Sequence, residues 1–177
     1  MTEPLRLVRS SAEPDPTEEE HGRSFERFFE AEKANLYSAL CLVTRNRHEA
    51  EELTQDAFVR VLERWGRVGS MENPTGYLYR TAMNAFRKGH RRAALAAKRV
   101  LAITPPDDEI GAVDDRDATT RALAPLSPQQ RAAIVLVDLI GFPSKEAARV
   151  LGVRPATVRK HTSRGHAALK KTMSEER

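Results

Sequence analysis

The chain is expected to be all-α, with two small helical domains joined by a flexible acidic linker. Three observations predict this. Apolar residues recur at three- and four-residue steps through most of the sequence, no run alternates apolar and polar residues as a strand would, and an aperiodic stretch over 102–117 separates two periodic regions. The length of 177 residues suffices for two small domains. Hydrophobic residues at 40% can fill two cores, while 31% charged residues and a mean hydropathy of −0.54 point to a protein in aqueous solution. No apolar run approaches the ~18 residues of a membrane span. The first twenty residues, MTEPLRLVRSSAEPDPTEEE, lack the apolar core of a secretory signal, so a cytoplasmic location is expected. One cysteine, Cys41, excludes an internal disulfide and a cysteine-based zinc site.

The elements follow in order. Residues 1–22 are rich in Glu, Pro and Ser and are expected to be a disordered tail. From Ser24 a helix is predicted on Phe25, Phe28, Phe29, Leu36, Leu40 and Val43, ending in the polar break 44–48. A second helix, AEELTQDAFVRVLERW, carries Leu53, Ala57, Val61 and Trp65 at four-residue steps, with Phe58 and Leu62 widening the stripe. Its other face holds Glu51, Glu52, Gln55, Asp56, Arg60 and Glu63. After the Gly/Pro/Asn-rich loop GRVGSMENPTG, a third helix begins near Pro74, a favoured first-turn residue, and places Tyr77, Leu78, Thr81, Ala82, Ala85 and Phe86 inward. The first domain is therefore expected over 23–99 and the linker over 100–117, where Pro105-Pro106 and the acids sit. The second domain is expected over 118–172, with 173–177 as a frayed end. Within it, Ser127-Pro128-Gln129-Gln130 reads as a helix cap followed by proline at the first helical position.

Charge is segregated along this chain. The net value is +4, yet residues 1–72 hold 15 acids against 10 Lys/Arg. Residues 73–106 hold seven Lys/Arg and no acid, 105–117 hold six acids and one arginine, and 154–171 again hold six Lys/Arg and no acid. An ordinary solvated surface mixes its signs. Two acid-free basic blocks on separate helical units favour a polyanionic partner.

Residues 144–169, SKEAARVLGVRPATVRKHTSRGHAAL, have the form of a helix-turn-helix. Ser144 can cap a short helix whose inner Ala147 and Ala148 let a second helix cross closely. Gly152 sits where the turn needs a positive φ, Val153 is expected to plug the corner, and a longer helix from about Pro155 turns Val158 inward. An α-helix fits the major groove of B-DNA, and side chains near its start reach base edges. Arg154, Thr157, Arg159, Lys160, Ser163 and Arg164 are placed for this. Thr162 weakens the inner face of that helix, and Gly165 costs up to about 1 kcal/mol inside it.

Other functional classes fit less well. His48-Glu49-Ala50-Glu51-Glu52 lacks the second histidine of a zinc-protease helix, and there is no Gly-rich phosphate loop, no GxSxG and no Cys-His arrangement. No enzyme, metal or cofactor is expected. A two-domain DNA-binding regulator would need a sensor domain, and residues 24–92 show no βα pattern for one. A helical adaptor would not need acid-free basic helices in both units.

AEELTQDAFVRVLERW, NPTGYLYRTAMNAFRKGHRR and LSPQQRAAIVLVDLIGFPSKEAARVLGVRPATVRK, in this order and spacing, closely resemble the sigma-70 family of bacterial RNA polymerase sigma factors, extracytoplasmic-function (ECF) subfamily. The resemblance spans about 24–172. It implies that 23–99 is a region 2-like domain, binding core RNA polymerase through Glu52, Leu53, Gln55, Asp56 and Leu62. It further implies that Arg80, Asn84, Arg87, Lys88, Arg91 and Arg92 contact the −10 promoter element and help melt it, with Tyr77 and Tyr79 beside them. Helical period turns Tyr77 toward the core. The region 4-like domain is implied to read the −35 element through its helix-turn-helix. Membership also implies a cognate anti-sigma factor, while the lack of a long apolar run implies no membrane insertion. The Tyr77-Leu78 pair stands where many relatives have Trp-Leu.

Overall fold

The structure is a computed structural model that describes residues 18–99 and 118–175. Every regular element in the described residues is helical: α1 Glu18–Thr44, α2 Arg47–Leu62, α3 Trp65–Val68, α4 Pro74–Arg99, α5 Ala118–Leu123, α6 Pro128–Ile134, a π-helical turn Val135–Leu139, α7 Ser144–Leu151 and α8 Pro155–Glu175. The expected linker over 100–117 lies outside the described residues.

The first bundle is closed by helix ends that its sequence encodes. α1 stops where Arg45 takes φ 58°, and Thr44 Oγ1 accepts from Asn46 N at 3.0 Å. Asn46 then caps α2, its side chain accepting from Glu49 N at 3.0 Å. Asn73 does the same for α4 by accepting from Gly76 N at 2.6 Å, with Pro74 at the first helical position. Leu53, Ala57, Phe58 and Val61 of α2 are buried against Leu36, Leu40 and Val43 of α1 and Leu78, Ala82 and Phe86 of α4. Trp65 anchors one end, with ring centroids 4.9 Å from Phe28 and 5.4 Å from Phe25, while Phe29 meets Phe58 at 4.7 Å.

Several expectations need correction here. Helix α1 begins at Glu18, so 18–22 are helical rather than part of a disordered tail; 1–17 lie outside the described residues. α2 ends at Leu62, and Trp65 opens a separate short helix, because the chain turns at 63–64 to bring the indole back onto α1. Leu62 therefore does not widen the buried stripe and is 52% exposed. α8 continues to Glu175, past the frayed end expected from 173; 176–177 lie outside the described residues.

In the second bundle, after α5, helix α6 starts on a complete capping box. Ser127 Oγ accepts from Gln130 N, and Gln130 Oε1 accepts from Ser127 N at 3.0 Å. Its core holds Leu123, Leu126, Ala132 to Leu136, Ala147, Ala148, Val150, Leu151 and Val158. The π-helical turn, absent from the sequence reading, carries the chain from α6 toward Gly141, at φ 84°.

The two bundles pack on each other, α4 against α7 and α1 against α6. Tyr79 of α4 meets Phe142 edge-on at 5.2 Å, and both cores join into one buried cluster. Arg131 of α6 is only 5% exposed and donates from Nε to Val43 O at 3.0 Å, satisfying a carbonyl in the last turn of α1. The sequence gives no sign of this joint.

Candidate nucleic-acid interface

The helix-turn-helix is built as its residues require. Gly152 adopts φ 61°, ψ 38°, the left-handed conformation that ends α7. Ala147 and Ala148 are buried, so α8 crosses α7 closely and Val158 is fully enclosed. Ser144 is the first helical residue rather than the cap; that position falls to Pro143, which offers no side-chain bond. Val153 does not plug the corner. It is 39% exposed, and its backbone N–H bonds to Ala148 O. Gly165 has a physical reason: an added Cβ would lie 2.9 Å from Ile134 Cγ1, so glycine lets α8 touch α6. Thr162 spends its hydroxyl on the carbonyls of Val158 and Arg159 rather than on the core.

This frame leaves Arg154, Arg159, Lys160, Ser163 and Arg164 exposed and Thr157 half-buried on and before the first turns of α8. One face thus carries four cations and two hydroxyls with no carboxylate of its own helix among them. The neighbouring acid, Asp138, is engaged by His166 at 2.7 Å.

A second basic row lies on α4. Arg80, Asn84, Arg87, Lys88, Arg91 and Arg92 are all exposed in terms of whole-residue surface. Arg80 stacks its guanidinium 5.3 Å from the Tyr77 ring centroid, and Arg64 Nη1 donates to the Tyr77 hydroxyl at 3.0 Å. Tyr77 is half-buried, held between two arginines at the bundle edge. Tyr79 is the fully enclosed ring, 1% exposed, and burial followed by the nearby Glu32 charge pushes its hydroxyl above the ordinary tyrosine value. The expectation that Tyr77 points inward is therefore corrected in part, and Tyr79 is withdrawn as a stacking ring. α7 of the second bundle lies against α4 and encloses that side of the helix.

The outer face of α2 forms a third surface. Glu52 pairs loosely with His48 at 3.5 Å, Gln55 donates to Glu51 at 3.3 Å, and Asp56 stands 3.9 Å from Arg60. All these groups are exposed, so their ion pairs add little stability. Leu53 is corrected: at 9% exposure it packs inward and supports the face rather than forming it. Val59, which the sequence reading missed, is 54% exposed beside Leu62. The signal was present, because 52, 55, 56, 59 and 62 recur at three- and four-residue steps on one face. Two bare aliphatic side chains among acids suit a helix-on-helix contact with a basic partner.

Comparison with known proteins covers both bundles. Residues 28–95 match the family model described as Sigma-70 region 2, and residues 116–169 match Sigma-70, region 4. The chain is 30% identical over 147 residues to the ECF RNA polymerase sigma factor SigM of Mycobacterium tuberculosis, covering 82% of this chain and 75% of that protein. It is 30% identical over 160 residues to the RNA polymerase sigma factor CarQ of Myxococcus xanthus, covering 86% and 90%. Its fold resembles the sigma factor RpoE in a complex with the anti-sigma factor NepR from Bartonella quintana, with TM-score 0.68, 24% identity, and 88% and 99% of the two chains covered. CnrH, solved with the cytosolic domain of CnrY, gives TM-score 0.61 at 21% identity. The chain belongs to the extracytoplasmic-function sigma factors of RNA polymerase, within the sigma-70 family.

Proposed function

We propose that the family's task, binding core RNA polymerase and directing it to promoters, is divided here among three surfaces. The outer face of α2, with Glu52, Gln55, Asp56, Val59 and Leu62, docks on the polymerase. The domain that holds it runs from α1 through α4, and the second domain from α5 through α8. The exposed start of α8 reads the −35 element, with Arg154, Arg159, Lys160 and Arg164 reaching guanine edges or phosphates and Thr157 and Ser163 adding neutral bonds. A well-placed bidentate arginine contributes about 1–3 kcal/mol of base discrimination.

α4 acts at the −10 element. Opening the duplex costs roughly a few kcal/mol for each base drawn out of the stack. Asn84, Arg87, Lys88, Arg91 and Arg92 offset this by holding the freed strand's phosphates, and Arg80 does so from the Tyr77 ledge. The protein itself makes or breaks no covalent bond; it positions an enzyme. Action in the cytoplasm follows from that partner; among the described residues, no helix is long and apolar enough to cross a membrane. RpoE is bound to the anti-sigma factor NepR and CnrH to the cytosolic domain of CnrY, which supports a cognate anti-sigma factor for this chain too.

One observation carries the reading: exposed, acid-free basic faces lie on two separate bundles of one chain, and a third face offers acids around bare valine and leucine. The test is transcription by core enzyme with and without the purified protein. Promoter-specific transcripts that appear only with the protein support it. Strong, sequence-specific duplex binding by the protein alone, without any effect on initiation, would overturn it in favour of an ordinary regulator. DNA association should also weaken steeply with salt, as phosphate contacts require.

A further inference from the structure

Arg64 lies outside the six α4 residues assigned to the −10 element, yet its side chain is tied to one of them through a ring. It occupies the cap position of α3 but makes no side-chain cap bond, so that helix does not need its guanidinium. The residue is exposed, while its backbone is fixed. Its N–H donates to Val61 O at 3.1 Å, and its carbonyl accepts from Arg67 N at 3.0 Å and Val68 N at 2.8 Å. The next residue, Trp65, is buried against Phe25 and Phe28. From this rigid base, Arg64 Nη1 donates to the Tyr77 hydroxyl at 3.0 Å.

Tyr77 is held at both ends. Its backbone N–H donates to Asn73 O at 3.3 Å and its carbonyl accepts from Thr81 Oγ1 at 2.8 Å. The bond at the far end of the ring needs an acceptor there. A phenol oxygen supplies one, phenylalanine has none, and an indole nitrogen only donates. Arg80 follows one turn later on the same side of α4, with its guanidinium 5.3 Å from the ring centroid. Glu72 and Glu146 line the same crevice as Tyr77 and Arg80. An arginine without the ring would explore many rotamers and be drawn toward those carboxylates. A guanidinium ordered before the strand arrives loses less freedom on binding it.

We propose that Arg64 is a positioning residue for strand capture at the −10 element: by bonding the Tyr77 hydroxyl it sets the ring on which Arg80 presents its guanidinium to DNA phosphate. Arg64 acts through Tyr77 and Arg80 and holds no phosphate itself. The proposal rests on the assignment of α4 to the −10 element. Arg64 also stands two residues beyond Leu62, the end of the proposed polymerase-docking face, so its effect on core binding must be measured separately.

The test uses the full-length chain with core polymerase on a promoter recovered from random-library initiation, and reads the lifetime of heparin-resistant complexes. Arg64→Met keeps an aliphatic stem and removes the donor. It should shorten that lifetime about three- to tenfold, the range set by one rotamer-rich side chain left unordered. Tyr77→Phe, which keeps the ring and removes the acceptor, should shorten it by the same factor, and the double variant by no more than either single one. In an Arg80→Ala background, Arg64→Met should change neither the lifetime nor the slope of log affinity against log salt. Core affinity and Tm should match the wild type throughout the Arg64 series. An unchanged lifetime in Arg64→Met, or additive losses with Tyr77→Phe, would overturn the proposal. So would a smaller salt slope from Arg64→Met in the Arg80→Ala background, because Arg64 would then hold a phosphate directly. Weaker core binding by Arg64→Met would overturn it too, placing Arg64 on the docking face. Inability of the wild type to direct initiation would instead refute the assignment of α4 on which the proposal rests.

Discussion

Arg131→Leu tests the joint between the bundles. The guanidinium is 5% exposed and its Nε donates to Val43 O at 3.0 Å, 88 residues away in sequence. Leucine refills much of the volume of the aliphatic stem, so the cavity term is small. What is lost includes the charge-assisted hydrogen bond to Val43 O, with a carbonyl in the last turn of α1 left buried. Such a loss costs about 1.5–3 kcal/mol. For a chain of this size each kcal/mol moves the midpoint by roughly 2–4 °C, so Tm should fall by about 3–12 °C. Thermal unfolding followed by circular dichroism measures it. The wild type should unfold in one transition and the variant in two, as α6 lets go of α1. A loss below about 0.5 kcal/mol, or a gain, would refute the reasoning, because burying the guanidinium would then cost as much as its bond returns.

Other outcomes follow from the same structure. Asp56→Lys should weaken binding to core polymerase about tenfold, or roughly 1.4 kcal/mol, and leave isolated −35 DNA binding unchanged; unaltered polymerase affinity would remove α2 as the docking face. Val59→Ser should act in the same direction without lowering Tm by more than about 1–2 °C, since the side chain is 54% exposed. Arg159→Ala should reduce −35-dependent initiation by about 1–3 kcal/mol and spare polymerase binding, as competition assays would show. Tyr79 keeps its proton in the fold above the ordinary value of 10.0. The unfolded chain then releases a proton that the folded chain holds, so stability should decline as pH rises from about 10 toward the folded value. Tyr79→Phe should flatten that part of the pH profile, measured by urea unfolding; an unchanged slope would show that another group sets it.

The helices were legible because periodicity is a local property. Leu53, Ala57, Val61 and Trp65 announced α2 at four-residue steps, and all four are buried. The turn of the helix-turn-helix was legible because a left-handed residue calls for glycine, and Gly152 supplies it. The break at 63–64 was not, because the stripe runs through it unbroken; the contacts made around it, Trp65 on Phe25 and Phe28 and Arg64 on Tyr77, are tertiary. Val59 and Leu62 illustrate a related limit: composition favours burial for an aliphatic side chain, and only geometry shows one turned outward. Tyr77 and Tyr79 exchanged parts for a tertiary reason. α7 covers one side of α4 and encloses Tyr79, which the helical period of α4 alone cannot reveal.

The packing of the two bundles was illegible for a similar reason. It uses, besides the shared core, long-range bonds such as Arg131 to Val43 and Arg87 to Leu151, whose donors look in sequence like surface arginines. Segregated charge marked both basic helices in advance, but their charge said nothing about which of them would be covered. Gly165 offers the opposite case. Its cost in helix propensity was visible in the sequence, while its benefit, contact with Ile134, needed the fold.

The most direct measurement is initiation from a library of random promoters by core RNA polymerase supplied with this protein. The account predicts start sites preceded by two shared sequence blocks at fixed separation, with the upstream block lost when Arg159 is replaced and the downstream block lost when Asn84 is replaced. Transcripts without any shared upstream sequence, or no transcripts despite a stable complex with the polymerase, would contradict it.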